Sequence, residues 1–453
     1  MQFEGAYLED GKGWSIWDTF TNFPGQCPSG VMVHENATDT IRLRKGNVAC
    51  DFYHLYPQDL RLAKRLHAKN FRFSVAWTRI FPKGDGPVNQ AGLDYYSKMV
   101  DTILELGMVP AVTLYHWDLP EELQRRFGGW NSREIVPIFA NYSATVFNAL
   151  GDRVIYWTTI NEPKTFCWEG YGTGMHAPGI RDPMQVANCS MNVLYAHAAA
   201  VKQFRKIVPG GKISMNLNAE WSVPFDSNSE QDQEAAQRKQ DFEVGVYADP
   251  VYFGQFPDSV RARVPYLPEI PDDLARDLAG SFDYFALNQY TSSYAKYSDG
   301  SDSALGRCDY DVTHTGKDGL ILGEQGDSGW LYSLPWGFRK VLNYVNDRYK
   351  PAEISITENG FNVKGESFMT LDEITHDTQR VKYFQEYIRN AVEAAVYDNV
   401  PISNYHAWAL MDNFEWTDGY SKHFGVCYTN FTTQERILKA SARYLANTFA
   451  PAK

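Results

Sequence analysis

Short apolar runs alternate with longer amphipathic segments along almost the whole chain. Runs rich in β-branched and aromatic residues predict seven strands, at Phe71–Trp77, Val109–Tyr115, Val154–Ile160, Lys212–Asn216, Phe282–Asn288, Ile354–Glu358 and Asn404–Leu410. Between them, apolar residues recur at helical spacing in stripes such as Tyr96, Met99, Val100 and Ile103, and later Val381, Phe384, Ile388 and Ala395. Regular alternation of strands and helices is typical of a parallel α/β fold.

Six of these seven runs finish in residues that carry polar or aromatic groups. An open doubly wound sheet gathers such groups at one crevice, whereas in a closed barrel every strand delivers side chains to one mouth. No linker rich in Pro, Gly or Ser divides the chain. The pattern therefore predicts one domain over residues 1–453, a (β/α)₈ TIM barrel of the α/β class with long βα loops.

The charge balance limits the possible partners. The 453 residues include 43 Lys+Arg and 55 Asp+Glu, for a net charge of −12. Such an acidic chain is a poor match for nucleic acid. Its apolar runs fall short of the ~18 residues that a membrane helix requires, so we expect no membrane partner. No signal peptide is recognisable at the start of the chain, which favours a cytoplasmic location but leaves localisation open.

The cysteines and sequons give weaker signals. Six cysteines lie far apart without a C-x-x-C pair, which predicts reduced thiols rather than a disulfide framework: Cys27, Cys50, Cys167, Cys189, Cys308 and Cys427. Four N-x-S/T sequons are attributed to chance, at Asn36, Asn141, Asn188 and Asn430.

Two acids stand out because each ends a predicted strand. Glu162 follows Thr159-Ile160-Asn161 and precedes a proline, and Glu358 follows Ile356-Thr357 and precedes Asn359-Gly360. A barrel would bring these distant residues together. Two facing carboxyl groups are the minimum equipment for breaking a glycosidic bond. The competing interpretation is that both are ordinary surface glutamates.

Aromatic residues favour the carbohydrate interpretation. Of twelve tryptophans, six are predicted at the mouth of the barrel: Trp77, Trp117, Trp168, Trp330, Trp408 and Trp416. Indole rings stack on sugar faces, although packing in the core is the alternative for each. No histidine has another within four residues, so neither a metal nor a cofactor is predicted. Gly170–Gly174 is interpreted as a flexible turn.

Several motifs in order resemble the family 1 glycoside hydrolases, the family of intracellular and plant-type β-glucosidases. Beside the two glutamate motifs, the resemblance rests on the segments Gly11–Phe20, Phe71–Ser74, Tyr115–Pro120 and Asp412–Trp416. It implies a retaining β-glucosidase that acts by double displacement, with Glu162 as the general acid/base and Glu358 as the nucleophile. Arg72 and Tyr290 would keep Glu358 ionised, and the two carboxyl groups would lie about 5–5.5 Å apart.

The resemblance also implies a substrate site. The residues expected to bind the sugar are Gln2, His116, Asn161, Asn288, Glu415 and Trp416, with Trp408 as the stacking floor and Trp330 as the aglycone platform. A neutral β-glycoside or oligosaccharide is the expected partner, and a glucoside is favoured. Position 162 is Glu, whereas thioglucosidases of the family have Gln there, and Glu415 would repel the phosphate of a phospho-glycoside. The oligomeric state stays open.

One departure from the family pattern concerns the first barrel strand. A family segment of the type F-x-W-G-x-A-T-[SA]-[AS]-Y would run into Gln2-Phe3-Glu4-Gly5, but the chain begins at its last position. We therefore expect either a gap between the strands at Phe71–Trp77 and Asn404–Leu410 or its filling by the N-terminal tail. The alternative function is an inactive, sugar-binding or truncated remnant of the same fold.

Overall fold

The computed structural model describes residues 1–22 and 45–450, so Cys27 and the sequon at Asn36 lie outside the described residues. The strands in this part of the chain are β1 (Asn70–Ser74), β2 (Val109–Tyr115), β3 (Tyr156–Asn161), β4 (Lys212–Asn218), β5 (Trp221–Pro224), β6 (Phe285–Asn288), β7 (Ser292–Tyr297), β8 (Asp302–Ser303), β9 (Gly306–Arg307), β10 (Tyr310–Thr313), β11 (Glu324–Gln325), β12 (Tyr332–Ser333), β13 (Ile354–Asn359), β14 (Ile402–Ala407), β15 (Cys427–Thr429) and β16 (Arg436–Leu438).

Helices fill most of the connections between strands. They are α1 (Ile16–Asn22), α2 (Phe52–Arg65), α3 (Trp77–Ile80), α4 (Gln90–Glu105), α5 (Glu121–Phe127), α6 (Ile135–Leu150), α7 (Pro163–Cys167), α8 (Pro183–Ile207), α9 (Glu230–Gln240), α10 (Val246–Phe253), α11 (Asp258–Arg261), α12 (Asp272–Leu278), α13 (Pro335–Tyr349), α14 (Leu371–Thr375), α15 (Thr378–Tyr397) and α16 (Ala440–Phe449). In the described ranges, none of these helices has the length and apolar character needed to cross a bilayer.

The seven predicted strands form one parallel sheet in the order β1-β2-β3-β4-β6-β13-β14. Their bounds differ from the prediction by a few residues at the ends. The first strand stops at Ser74, and Trp77 instead begins α3, because the chain turns after Val75 N–H donates to Thr113 O at 2.9 Å. The remaining strands form small sheets in the loops, the largest of which has the order β10-β7-β5.

The sheet curls until its two outer strands, β1 and β14, line the same cavity of about 470 Å³. Asn70 Nδ2 donates to Asn404 Oδ1 across it at 2.9 Å. The N-terminal residues also line this cavity, but the carbonyls of Gln2 and Phe3 bond to the N–H groups of Phe414 and Cys50. The predicted gap is therefore confirmed. Among the described residues, no strand pairs with the facing edges of β1 and β14, and a closed barrel avoids such unpaired edges.

The prediction of reduced cysteines is wrong for one pair. Cys167 at the end of α7 and Cys189 in α8 form a disulfide, with their Cα atoms 5.8 Å apart. The two cysteines are 22 residues apart, a spacing that does not predict a disulfide. They are brought together because α7 and the start of α8 pack against each other. Cys50, Cys308 and Cys427 are buried free thiols.

The glycine-rich segment that follows α7 is also more ordered than predicted. Residues Trp168–Thr173 form a π-helical turn, so the interpretation as a flexible turn is wrong. Gly174 ends it with a φ of 70°, a left-handed conformation that glycine adopts without strain. The carbonyl of Gly170 accepts from Ile180 N–H at 2.8 Å, which anchors the turn against the following loop.

Candidate active site

Glu162 lies directly after β3, at the C-terminal mouth of the sheet. Its backbone has a φ of 47° and its N–H donates to Asn216 O at 2.9 Å on the neighbouring strand. Pro163 starts α7 immediately afterwards, a position where the missing proline N–H costs nothing. The strand therefore ends abruptly, and the Glu162 side chain is left buried, with 8% of its surface exposed.

Glu358 lies within β13 and is held from two sides. Arg72 Nη1 of β1 donates to one carboxylate oxygen at 2.7 Å, and the Tyr290 hydroxyl donates to the other at 2.7 Å. A guanidinium and a hydroxyl donor both favour the ionised carboxylate. Burial and the charge of Glu358 raise the pKa of the Tyr290 hydroxyl well above its usual range, so that hydroxyl keeps its proton and stays a donor.

A chain of hydrogen bonds connects the two glutamates. Arg72 Nη2 donates to Asn161 Oδ1 at 2.7 Å, and Asn288 Nδ2 donates to the same oxygen at 3.2 Å. Asn288 Nδ2 also donates to Glu162 Oε1 at 2.8 Å. Four parallel strands thus contribute to one connected network, as expected when their carboxyl ends meet at one edge.

The two carboxyl groups have different electrostatic environments. Burial, and next the negative charge of Glu358, raise the pKa of Glu162 to about 7, against the smaller opposing effect of the Asn288 hydrogen bond. Glu358 instead has a cation and a phenol as partners. Glu162 can therefore hold a proton near neutral pH beside a second carboxyl group that is paired with a cation, an arrangement that suits a retaining glycosidase.

Aromatic rings form a wall beside the pair. The His116 ring is nearly parallel to the rings of Trp408 and Trp416, with centroids 6.0 and 5.9 Å away, and the Trp117 ring centroid lies 4.8 Å from that of Trp416. Burial and the nearby Arg72 charge lower the pKa of His116 well below its usual range, so the imidazole is neutral. A neutral ring bounded by indoles offers apolar faces with a few polar edges, which suits a carbohydrate.

The remaining predicted polar residues lie at the same mouth. Gln2 Nε2 donates to Asn413 Oδ1 at 3.3 Å and approaches Glu415 Oε2 at 3.5 Å. His116 Nε2 and Asn161 Nδ2 are 3.3 Å apart. Removal from water, and then the charge of Asp418, raise the pKa of Glu415 well above its usual range.

The predicted tryptophans separate into different environments. Trp330 is 46% exposed and meets Tyr290 edge-on at 5.8 Å, so it lies at the rim of the site. Trp168 is largely buried, with Lys164 Nζ over its ring at 4.8 Å. The prediction that Trp77 lies at the mouth of the barrel is wrong. Trp77 is fully buried, donates to Gly84 O at 3.0 Å and stacks on a tyrosine in the core, because the chain leaves the strand before reaching it.

Sequence reasoning missed Thr357 as a contact of the site. Its hydroxyl donates to Asn288 Oδ1 at 2.6 Å, and Thr357 lines the same internal cavity as Ser355, as alternation along β13 predicts. Regular alternation would then turn Glu358 to the opposite face, yet Glu358 bonds to Arg72, which lines that cavity as well. The pairing of β13 with β6 shifts register between Ile356 and Glu358, and such an irregularity re-aims side chains. In the sequence, Ser355 and Thr357 alternate with Ile354 and Ile356, and this alternation could have suggested that Thr357 faces the interior of the barrel.

A cluster of possible metal ligands lies elsewhere, formed by Glu366, Asp412 and His423. Its carboxylates are already paired with cations, since Lys439 Nζ bonds to Glu366 at 2.6 Å and to Asp412 at 2.9 Å, and Arg380 bonds to Glu366 at 2.5 Å. These ion pairs account for the cluster as part of the buried structure.

Comparison with known proteins gives the same picture over the whole chain. The sequence model of Glycosyl hydrolase family 1 matches residues 1–451. Beta-glucosidase 1B of Phanerodontia chrysosporium is 40% identical over 467 residues, covering 99% of this chain and 83% of that protein.

Solved structures agree with the sequence match. The crystal structure of the beta-glucosidase from Trichoderma harzianum superposes with a TM-score of 0.92 at 40% identity, covering 99% of this chain and 94% of that one. The family 1 beta-glucosidase of the fungus Humicola insolens, solved in complex with glucose, gives 0.92 at 38% identity, covering 99% of this chain and 95% of that one. The expected fold is therefore confirmed: the seven parallel strands are those of a (β/α)₈ barrel, nearly closed by the part of the chain that the structure describes.

Proposed function

This chain belongs to glycosyl hydrolase family 1, and from that premise we propose that it is a retaining β-glucosidase that releases terminal nonreducing β-D-glucosyl residues. Retention of configuration is characteristic of this family, and the similar proteins are β-glucosidases, of which this chain covers 83% of beta-glucosidase 1B and 94% of the Trichoderma harzianum structure. The observation that carries the proposal is the connected pair Glu162 and Glu358, one with a raised pKa and one held by Arg72 and Tyr290.

In the first step, a Glu358 oxygen attacks the anomeric carbon while Glu162 gives its proton to the glycosidic oxygen. The carbon–oxygen bond to the aglycone breaks, the aglycone leaves as an alcohol, and a glycosyl ester forms on Glu358. The two bonds that hold the carboxylate orient it for this attack. Consumption of the Glu358 charge removes one of the causes that raise the pKa of Glu162.

In the second step, Glu162 acts as a base. Now ionised, it takes a proton from water, whose oxygen attacks the anomeric carbon and displaces Glu358. Two inversions give β-glucose, and both carboxyl groups return to their starting states. Asn288 donates to the Glu162 carboxyl throughout, which stabilises its ionised form in this step.

Sugar recognition follows from the polar groups around the pair. We assign Gln2, His116, Asn161, Glu415 and Trp416 to the hydroxyl groups of the glucosyl unit, Trp408 to its apolar face and Trp330 to the aglycone. These assignments are supported by the common position of the residues around the two glutamates, and Trp330 differs from the others in lying at the exposed rim. Asn288 acts mainly on Glu162 and Asn161 rather than on the sugar directly. One continuous hydrophobic core supports a single catalytic domain.

Hydrolysis of 4-nitrophenyl β-D-glucoside, followed by proton NMR of the first-formed sugar, tests this proposal. We expect β-glucose before mutarotation, and kcat/KM for the glucoside above that for the galactoside and the fucoside. An α-glucose product would contradict the retaining mechanism. Binding of glucose without turnover of any of these glycosides would favour the inactive, sugar-binding alternative.

A further inference from the structure

We propose that Thr357 is a positioning residue that fixes the side-chain amide of Asn288 against Glu162 and thereby sets how readily Glu162 exchanges its proton. The inference rests on the proposed function, because it assigns Glu162 as the acid/base. Thr357 itself is the residue before the proposed nucleophile, and its hydroxyl bonds to the amide rather than to either glutamate.

The three side chains form a short, buried relay. Thr357 Oγ1 donates to Asn288 Oδ1 at 2.6 Å, and Asn288 Nδ2 donates to Glu162 Oε1 at 2.8 Å. Asn288 is fully buried, and Thr357 is 4% exposed. Among residues 1–22 and 45–450, Thr357 is the one donor to Asn288 Oδ1. Loss of that donor would leave a buried carbonyl unsatisfied, which is costly, so the hydroxyl contributes to keeping the amide in place.

The direction of the amide is set from the other side of the site. Arg72 can only donate, so Asn161 must turn Oδ1 toward it. Asn288 reaches the same oxygen and must therefore present Nδ2 there, which also directs that NH₂ group to Glu162. Its carbonyl is left facing Thr357, where only a donor satisfies it. The donors on Arg72 thus fix the orientation of the Asn161 amide, which fixes that of Asn288, and the Thr357 hydroxyl satisfies the remaining carbonyl.

The consequence for Glu162 is electrostatic. An NH₂ donor favours the ionised carboxylate and opposes the burial and the Glu358 charge that favour the protonated form. Arg72, Tyr290 and Glu415 also interact electrostatically with Glu162, and a Thr165 side-chain hydrogen bond favours its ionised form as the Asn288 bond does. None of these groups bonds to Thr357 within the described structure, so loss of the Thr357 hydroxyl acts on Glu162 through Asn288.

The experiment compares Thr357→Val with Thr357→Ser. Valine has the same shape but cannot donate, so the amide loosens, its bond to Glu162 weakens, and Glu162 keeps its proton to higher pH. We expect the basic limb of kcat/KM for 4-nitrophenyl β-glucoside to move up by about 0.5–1 pH unit. Serine retains the hydroxyl and should restore the wild-type limb.

Thr113→Val is the matched control. The Thr113 hydroxyl is buried and bonds to Thr158 Oγ1 at 2.7 Å, within the same sheet but outside the relay. This variant should lose thermal stability to a similar extent and leave the basic limb where it is. Equal limbs in Thr357→Val and wild type, or equal shifts in both valine variants, would overturn the inference.

A measurement that does not need turnover separates this inference from the proposed function. Carbon-13 NMR of protein labelled at the glutamate side-chain carboxyl carbon, with the Glu162 signal assigned by its loss in Glu162→Gln, reports the pKa directly. We expect a higher midpoint for Glu162 in Thr357→Val than in wild type, even if the wild type hydrolyses no glycoside. A Glu162 midpoint that is the same in Thr357→Val and wild type would refute the positioning role. If the midpoint is higher in Thr357→Val but the wild type hydrolyses no glycoside, the positioning role stands and the proposed β-glucosidase function is refuted.

Discussion

Tyr290 donates its hydroxyl to Glu358 Oε2 at 2.7 Å, while its own backbone carbonyl accepts from the hydroxyls of Tyr383 at 2.8 Å and Tyr387 at 3.0 Å. Tyr290 therefore has a position that does not depend on the bond to Glu358. In Tyr290→Phe we expect the ring to stay in place and only the bond to the carboxylate to be lost.

The expected effect of Tyr290→Phe is a decrease in kcat/KM of about tenfold to a hundredfold, the range for one hydrogen bond to a charged group. The thermal midpoint should change little. The check is steady-state kinetics beside a melting curve. An unimpaired kcat/KM would show that Glu358 does not depend on this donor.

The activity should fall as the pH rises past neutrality. Glu162 must be protonated for the first step, and its pKa is raised to about 7 by burial and by the charge of Glu358. The fraction of free enzyme with a protonated acid therefore drops through that pH, and kcat/KM drops with it. A profile of kcat/KM from pH 4 to 9 measures this. A basic limb below pH 5.5 would mean that Glu162 is not perturbed as described.

The same shift predicts a pH-dependent stability difference. The pKa of Glu162 is higher in the folded protein, so its contribution is fully present below its ordinary value of 4.5 and is lost as the pH rises through about 7. Glu162→Gln stays neutral throughout. We expect it to be more stable than the wild type at pH 8.5 by up to about 3 kcal/mol, and nearly equal at pH 4.5.

Denaturant unfolding of wild type and Glu162→Gln at the two pH values checks this difference. Glu358→Gln serves as the control, since it removes the neighbouring charge and leaves Glu162 in place. A stability difference between Glu162→Gln and wild type that is the same at both pH values would contradict the prediction.

The disulfide between Cys167 and Cys189 should stabilise the region that follows Glu162. It closes a loop with a sequence separation of 22 residues, and loss of such a link costs about 3 kcal/mol. The double variant Cys167→Ser, Cys189→Ser should unfold at correspondingly lower denaturant. Thiol titration of denatured wild type should gain two groups on reduction, and no gain would show that the pair is not oxidised.

Much of the fold and of the catalytic pair was predictable because the signals are local. Each strand reads as a short apolar run, and Glu162 and Glu358 each end one beside a residue that stops it. The network around them was not predictable in the same way. Alternation places Thr357 on the inward face of β13 with Ser355, but its bond to Asn288 depends on the register between β13 and β6, which no local pattern gives.

Two further features depend on how elements pack rather than on local pattern. Trp77 follows an apolar run as the tryptophans of the mouth do, yet the chain turns before it and buries it. Cys167 and Cys189 meet because α7 lies against α8, and the spacing of the two cysteines in the sequence does not predict that packing. The gap beside β1 was predictable, since it follows from comparing the chain with a family pattern, position by position.

The most direct test of the account is azide rescue of two variants on an aryl β-glucoside with a good leaving group. In Glu358→Gly, azide should enter from the face that the nucleophile vacates and give the α-glucosyl azide, with inversion. In Glu162→Ala, the glycosyl ester on Glu358 still forms, and azide should then give the β-glucosyl azide, with retention. Products exchanged between the two variants, or no rescue in either, would contradict the assignment of Glu358 as nucleophile and Glu162 as acid/base.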